Sequence, residues 1–162
     1  VVSAPLDCTP NSGDDRSAKE IKQDAEKFGA FAKAGQRLAE LHVNYEEQPE
    51  FPLPRVENKA AHLDWRVETM KLTKDRSALI YDDWLTLADI PAEVFDYRLG
   101  NRSALDWVID QYRVVKDADG NIVSDPNRLD DEQYIVRLIG QVVHVSVETR
   151  KIIRNLPELK FP

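Results

Sequence analysis

Three histidines, His42, His62 and His144, are the side chains of this 162-residue chain best suited to move a proton or hold a metal near neutral pH. Either task needs partners: a nucleophile within hydrogen-bond reach, or further ligands at short, regular spacing. None of the three has such a companion nearby in the sequence. Each therefore reads as a structural imidazole, His42 at the end of a helix and His144 on the flank of another. Asp117, Asp119 and Asn121 alternate as the first ligands of a calcium loop do, yet the rest of that pattern, including its terminal glutamate, is missing, and a turn is the better reading. The adjacent pairs Asp82-Asp83 and Asp130-Asp131 lack a partner base and suit solvated turns and helix caps. Asn101-Arg102-Ser103 has the form of a glycosylation acceptor, but its serine stands where a helix should begin, and capping is the simpler role. Cys8 is the only cysteine, which excludes an internal disulfide and a multi-cysteine zinc site and fits a reducing cytoplasm. The sequence also has no glycine-rich phosphate loop, helicase motif or methyltransferase cofactor motif. The chain is accordingly read as non-enzymatic, with no catalytic, cofactor-binding or metal-binding set of its own.

What remains is binding. Arg66, Lys71, Lys74 and Arg76 cluster around an expected first hairpin, and Arg98 and Arg102 lie near its edge. Arginine can bind guanine edges or phosphates through two parallel hydrogen bonds, while lysine supplies a mobile point charge. These six are the candidate DNA-binding residues. Two facts oppose a broad polyanion-binding surface: the net charge is −7, and Asp75, Asp82 and Asp83 share the same stretch. A solvated sheet face of alternating charge is the competing reading.

The elements that would position these residues follow from periodicity. Residues 1–16 hold Pro5, Pro10 and Gly13 with no apolar period and are expected to form a flexible tail. From Ser17, the series Ile21, Ala25, Phe28, Ala32, Gly35, Leu38, His42 keeps a spacing of three to four and predicts a long amphipathic helix. Gly29 or Gly35 within it would mark a bend or a close contact. Gln48-Pro-Glu-Phe-Pro-Leu-Pro54 cannot continue the helix and should run extended. Three short strands are expected next, over residues 65–72, 77–81 and 84–87, joined by tight turns into an antiparallel meander; residues 93–99 fit either a fourth strand or a helical turn after Pro91, with the strand favoured. Ser103 and Asp106 form a capping box for a short helix over 104–112. Asp119-Gly120-Asn121 supplies a tight turn in a small hairpin or a loop, and Asp130 or Asp131 caps a long final helix striped by Ile135, Leu138, Ile139, Val142, Val145, Thr149, Ile152 and Leu156. The fold class is thus α+β: a small antiparallel β-meander packed with a long N-terminal helix, a short middle helix and a long C-terminal helix. Residues 17–162 form one domain, which suits a mass of 18.5 kDa, 42% apolar residues and 31% charged residues. No apolar run approaches the roughly 20 residues of a membrane span.

Gly100-Asn-Arg-Ser-Ala-Leu-Asp-Trp-Val-Ile-Asp-Gln-Tyr112, Gly120-Asn-Ile-Val-Ser-Asp-Pro-Asn127 and Val145-Ser-Val-Glu-Thr-Arg-Lys-Ile-Ile-Arg-Asn-Leu-Pro157 occur in order, preceded by Phe31-Ala-Lys-Ala-Gly-Gln-Arg-Leu-Ala-Glu-Leu-His-Val-Asn-Tyr-Glu46. Together they resemble the C-terminal specificity region of type ISP restriction-modification enzymes, over roughly residues 28 to 158. These are large bacterial chains that join a nuclease, a DEAD/DEAH-type helicase or translocase motor, an adenine methyltransferase and a target-recognition region. Residues 6–27 depart from the pattern, being longer and more charged than the segment that usually precedes it. The resemblance implies that the chain is the C-terminal fragment of such a protein, as its start at Val1 without a methionine also suggests. Double-stranded DNA and the upstream methyltransferase and motor domains are then its expected partners, with no membrane. ATP, Mg and S-adenosylmethionine would serve the parent rather than this fragment. Two roles follow: a non-catalytic part of the DNA target-recognition region, or an interaction module that docks the tail on the methyltransferase domain without touching DNA.

Overall fold

A computed structural model describes residues 18–158. The tail expected over residues 1–16 lies outside the described residues. The first helix, α1, spans Ala18–Val43. Its packed face differs from the expected stripe: Phe31, Ala34 and Leu38 are half-buried and Leu41 is fully buried, while Ile21 and Phe28 are 50% and 76% exposed. The fully buried Leu41 and the His42–Thr149 contact with the last helix both lie at the C-terminal end of α1, where packing selects the face. Neither Gly29 nor Gly35 is a close contact; a Cβ at either would meet nothing within 4 Å.

A 3-10 turn at Tyr45–Glu47 ends the helical entry, and residues 48–54 run without regular structure, as their prolines require. This segment is held by the Phe51 amide, which donates to the Gly140 carbonyl at 2.9 Å. Gly140 is the glycine that matters for packing. A Cβ there would meet the Glu50 Cβ at 3.0 Å, tighter than ordinary contact, so the absence of a side chain at position 140 eases the approach of the extended chain to the last helix.

The main sheet has four strands, β1 Arg55–Glu57, β2 Lys71–Leu72, β3 Leu79–Ile80 and β4 Leu85–Leu87, all antiparallel in the order β1-β4-β3-β2. The meander β2-β3-β4 is the one periodicity predicts. Strand β1, which follows the proline segment and pairs Val56 with Thr86, was not expected. Registers place Val56, Thr86, Ile80 and Lys71 in one row across the outer face, and Leu87, Leu79 and Leu72 in a row towards the core.

Two expected strands are corrected. Residues 65–70 alternate suitably but do not join the sheet, because their backbone groups are taken by side chains and loops. Asn127 accepts the Val67 amide at 2.8 Å and donates to the Val67 carbonyl at 2.8 Å. The Tyr81 hydroxyl donates to the Trp65 carbonyl, and the Val114 amide donates to the Glu68 carbonyl. Residues 93–99 form a 3-10 helix over Ala92–Asp96, begun by Pro91, and only β5, Arg98–Leu99, is a strand.

Strand β5 pairs with β6, Arg102–Ser103, across Gly100-Asn101, where Gly100 takes φ +72°. Ser103 then caps α2, Ala104–Gln111: its Oγ accepts the Asp106 amide, and the Asp106 carboxylate accepts the Ser103 amide. Strands β7, Val115–Lys116, and β8, Ile122–Ser124, form a small hairpin, the first of the two forms the turn allowed, with Gly120 at φ +86°. The last helix, α3, spans Tyr134–Arg154 and starts at Gln133 with no side-chain cap. Asp131 contributes its backbone carbonyl to the Tyr134 amide instead, while its carboxylate pairs with Arg137. The predicted stripe is buried from Ile135 to Thr149, but Val136, Val143 and Val147 on other sides are buried too. Helix α3 is therefore the centre of the fold. Val67, Tyr81, Leu85 and Leu105 pack in the same core.

Candidate nucleic-acid interface

The structure divides the six candidate cations by what neutralises them. Arg66 donates from Nη2 to Asp125 at 2.6 Å. Arg76, at the β2–β3 turn with φ +61°, donates to both Asp106 oxygens at 2.7 and 2.8 Å and lies 4.0 Å above the Phe95 ring. Arg102 donates to Asp110 at 3.1 Å and sits over Trp107, and Arg98 donates to the Asn101 carbonyl. Lys71 and Lys74 are exposed and form no ion pair among the described residues. Arginines with fixed carboxylate partners hold elements together; lysines without them keep their charge available to a ligand.

Asp106 is the pivot of this corner. Burial alone would raise its pKa, but hydrogen bonds from Ser103 and Arg76 outweigh burial and hold the carboxyl below its ordinary range. One carboxylate thus closes the cap of α2 and anchors the β2–β3 turn to it. Asp110, one helical turn later, takes Arg102 and also Arg113, whose Nη2 is 3.5 Å away. Arg113 was missed by sequence reasoning, although its place three residues after Asp110 at the end of a helix was a usable signal. Arg102, Asp106, Asp110 and Arg113 line a recess of about 380 Å³ with Thr69 and Met70, and Lys71 follows directly in the chain. Arg66 is not part of this group; it sits with Asp125 near Trp65 and Arg128.

His42, Asp117 and Asp82 have structural partners. His42 Nε2 lies 3.0 Å from the Thr149 hydroxyl and 3.2 Å from that of Tyr97, and its ring stacks on Tyr97, joining α1 to α3. The Asp117 carboxylate accepts the side-chain and backbone N–H groups of Asn121 and the Asp119 amide, bonds that lower its pKa and close a turn. Asp82 accepts the Trp84 and Leu85 amides at the β3–β4 turn, although burial outweighs those bonds and raises its pKa. No group of three or more His, Cys, Asp or Glu side chains among the described residues could hold a metal ion. On the other side of α2, Tyr45, Tyr97, Leu99, Trp107 and Val142 line an apolar groove of about 250 Å³.

A family model described as the type ISP C-terminal specificity domain matches residues 21–138. The chain belongs to this family. Solved structures agree. The ATP-dependent type ISP restriction-modification enzyme LlaBIII, bound to DNA, is 35% identical with a TM-score of 0.72, over 83% of this chain and 9% of that one. A nuclease-deletion mutant of the type ISP enzyme LlaGI, in complex with a DNA substrate mimic, is 34% identical with a TM-score of 0.71, over 82% of this chain and 13% of that one. The DrdV–DNA complex is 30% identical with a TM-score of 0.66, over 83% of this chain and 15% of that one. Among curated proteins none matches. The specificity domain therefore spans a small fraction of the length of these enzymes. No helix among its described residues is long and apolar enough to cross a membrane.

Proposed function

We propose that this specificity domain contacts duplex DNA during target recognition by a type ISP enzyme, with Lys71 and Lys74 of the β2–β3 hairpin as the freest of the six candidate cations. The observation that carries the reading is the likeness, at 30–35% identity over more than four fifths of the chain, to enzymes solved with DNA. Chemistry would reside upstream, where motor, nuclease and methyltransferase domains use ATP, Mg and S-adenosylmethionine in a cytoplasmic enzyme. The domain occupies residues 17–162. Its contribution is to hold the duplex in register, the phosphate contacts setting position and a few base contacts setting sequence.

Of the six candidate residues, Arg66, Arg76, Arg98 and Arg102 serve first to fix loops and helix ends, and any DNA contact they make is secondary to that. The test is fluorescence anisotropy of the domain with labelled duplexes at low and moderate salt. Lys71→Ala/Lys74→Ala should weaken binding and lower its salt dependence by about two ions. Equal affinity of the variant and the parent domain would move the contact off this hairpin.

A second reading is favoured by the exposed Ile21 and Phe28 on α1 and by the apolar groove beside Trp107. Here the domain docks on the upstream methyltransferase region and makes no DNA contact. Binding to that region without binding to any duplex would select it.

A further inference from the structure

We infer that the recess between α2 and the segment before β2 is a seat for a backbone phosphate of duplex DNA, held by Arg113 and Arg102. This rests on the DNA reading above and adds to it a site away from the hairpin lysines. Three observations support it. The first is charge. Arg76, Arg102 and Arg113 share two carboxylates, Asp106 and Asp110, so one guanidinium charge is unbalanced at the recess.

The second observation is how unequally these arginines are held. Arg76 has two short bonds and a ring beneath it, and Arg102 has one bond and a ring. Among the described residues Arg113 has one ion pair, at 3.5 Å, longer than those of Arg76 and Arg102, and its side chain is 53% exposed. It is the member of the cluster that an incoming anion can recruit without dismantling the fold. A planar guanidinium suits that task, because two of its N–H groups can meet two phosphate oxygens at once.

The third observation is space. A volume of about 380 Å³ accommodates a phosphodiester group with room for its ester oxygens to leave along the duplex. The carboxylates of Asp106 and Asp110 do not block it, since both already accept bonds from arginine. Asp110 fixes the Arg102 guanidinium in place before the anion arrives, which lowers the ordering cost of binding.

The experiment compares the domain with Arg113→Ala and Arg113→Lys, titrating labelled duplex of cognate and scrambled sequence across salt concentrations, and separately titrating inorganic phosphate while following the Arg113 side-chain NMR signal. Arg113→Ala should weaken both duplexes alike, by about threefold, and lower the salt slope by about one. Arg113→Lys should restore the slope, because it keeps the charge; a residue that only supports the fold would show no such rescue. An unchanged affinity and slope in Arg113→Ala overturns the seat, and if Lys71→Ala/Lys74→Ala still weakens binding, the DNA reading survives alone. Should inorganic phosphate move the Arg113 signal while duplex leaves it unmoved, the recess binds free anions and the DNA assignment fails. Should no duplex bind at all, both readings fall together.

Discussion

The α2 corner and the β2 edge both concentrate positive charge, yet they treat it differently. At the corner every arginine faces a carboxylate: Arg76 meets Asp106, and Arg102 and Arg113 meet Asp110. At the edge Lys71 and Lys74 face solvent, and the nearest acid in sequence, Asp75, is engaged by Thr73 and Ser77. Charge at the corner is thus spent mostly on architecture, and charge at the edge is left for a partner. The contrast explains how a domain with net charge −7 can present a local cationic surface. The acids are not spread as a uniform repulsive field; many are tied to the turns and arginines they stabilise.

Breaking the corner should have the largest effect. Asp106→Ala removes the carboxylate of the capping box and the partner of Arg76 together, and it should lower unfolding free energy by about 2–3 kcal/mol in urea denaturation. Arg76→Ala should cost less, because the cap remains, and the double variant should be less destabilised than the sum of the two. Additive losses would show that the turn and the cap are independent, and the corner would not be a unit.

A smaller effect separates the two regions by pH. Hydrogen bonds from Ser103 and Arg76 depress the Asp106 carboxyl despite its burial, so its folded pKa lies below its unfolded one. The stability it confers is present above about pH 4 and is lost as pH falls through the folded value. Asp106→Asn should therefore flatten the acid limb of stability measured between neutral pH and acid. Asp75, Asp117, Asp125 and Asp131 are depressed as well, which leaves part of the limb in place. If the limb is unchanged, Asp106 titrates as an ordinary carboxyl and the corner is looser than its geometry implies.

How much of this was legible in the sequence depended on whether local chemistry decided the outcome. The Ser103–Asp106 box and the Gly100 and Gly120 turns were readable because adjacent residues carry the whole cause. The meander was readable from alternation closed by short turns. Residues 65–70 were not, since the partner that takes their backbone groups, Asn127, lies sixty residues away in sequence. The packed face of α1 was misread for a related reason: Ile21 and Phe28, the large apolar residues of its first half, stay exposed, so their spacing reported no buried face. For the candidate site, the residue types could be named from the sequence, whereas the division into held arginines and free lysines could not. That division depends on which carboxylates the fold brings within reach, and Asp125, Asp106 and Asp110 are distant in sequence from Arg66 and Arg76 or separated from Arg102 by a helix.

The smallest expected effect is the one that most directly tests the contrast. Lys71→Ala/Lys74→Ala should leave the urea midpoint and its slope almost unchanged, with a stability difference within about 0.5 kcal/mol, because neither ammonium group has an ion pair to lose and both are exposed. Lys71 does lie opposite Ile80 in the outer row of the sheet, and its methylene stem can cover part of that side chain. Arg76→Ala under the same conditions supplies the scale. Were the lysine pair to cost as much as Arg76→Ala, the stems would be packing elements and the edge would resemble the corner. A negligible cost, set beside weakened DNA binding by the same variant, would mean that the two lysines act on a ligand and contribute nothing measurable to the fold.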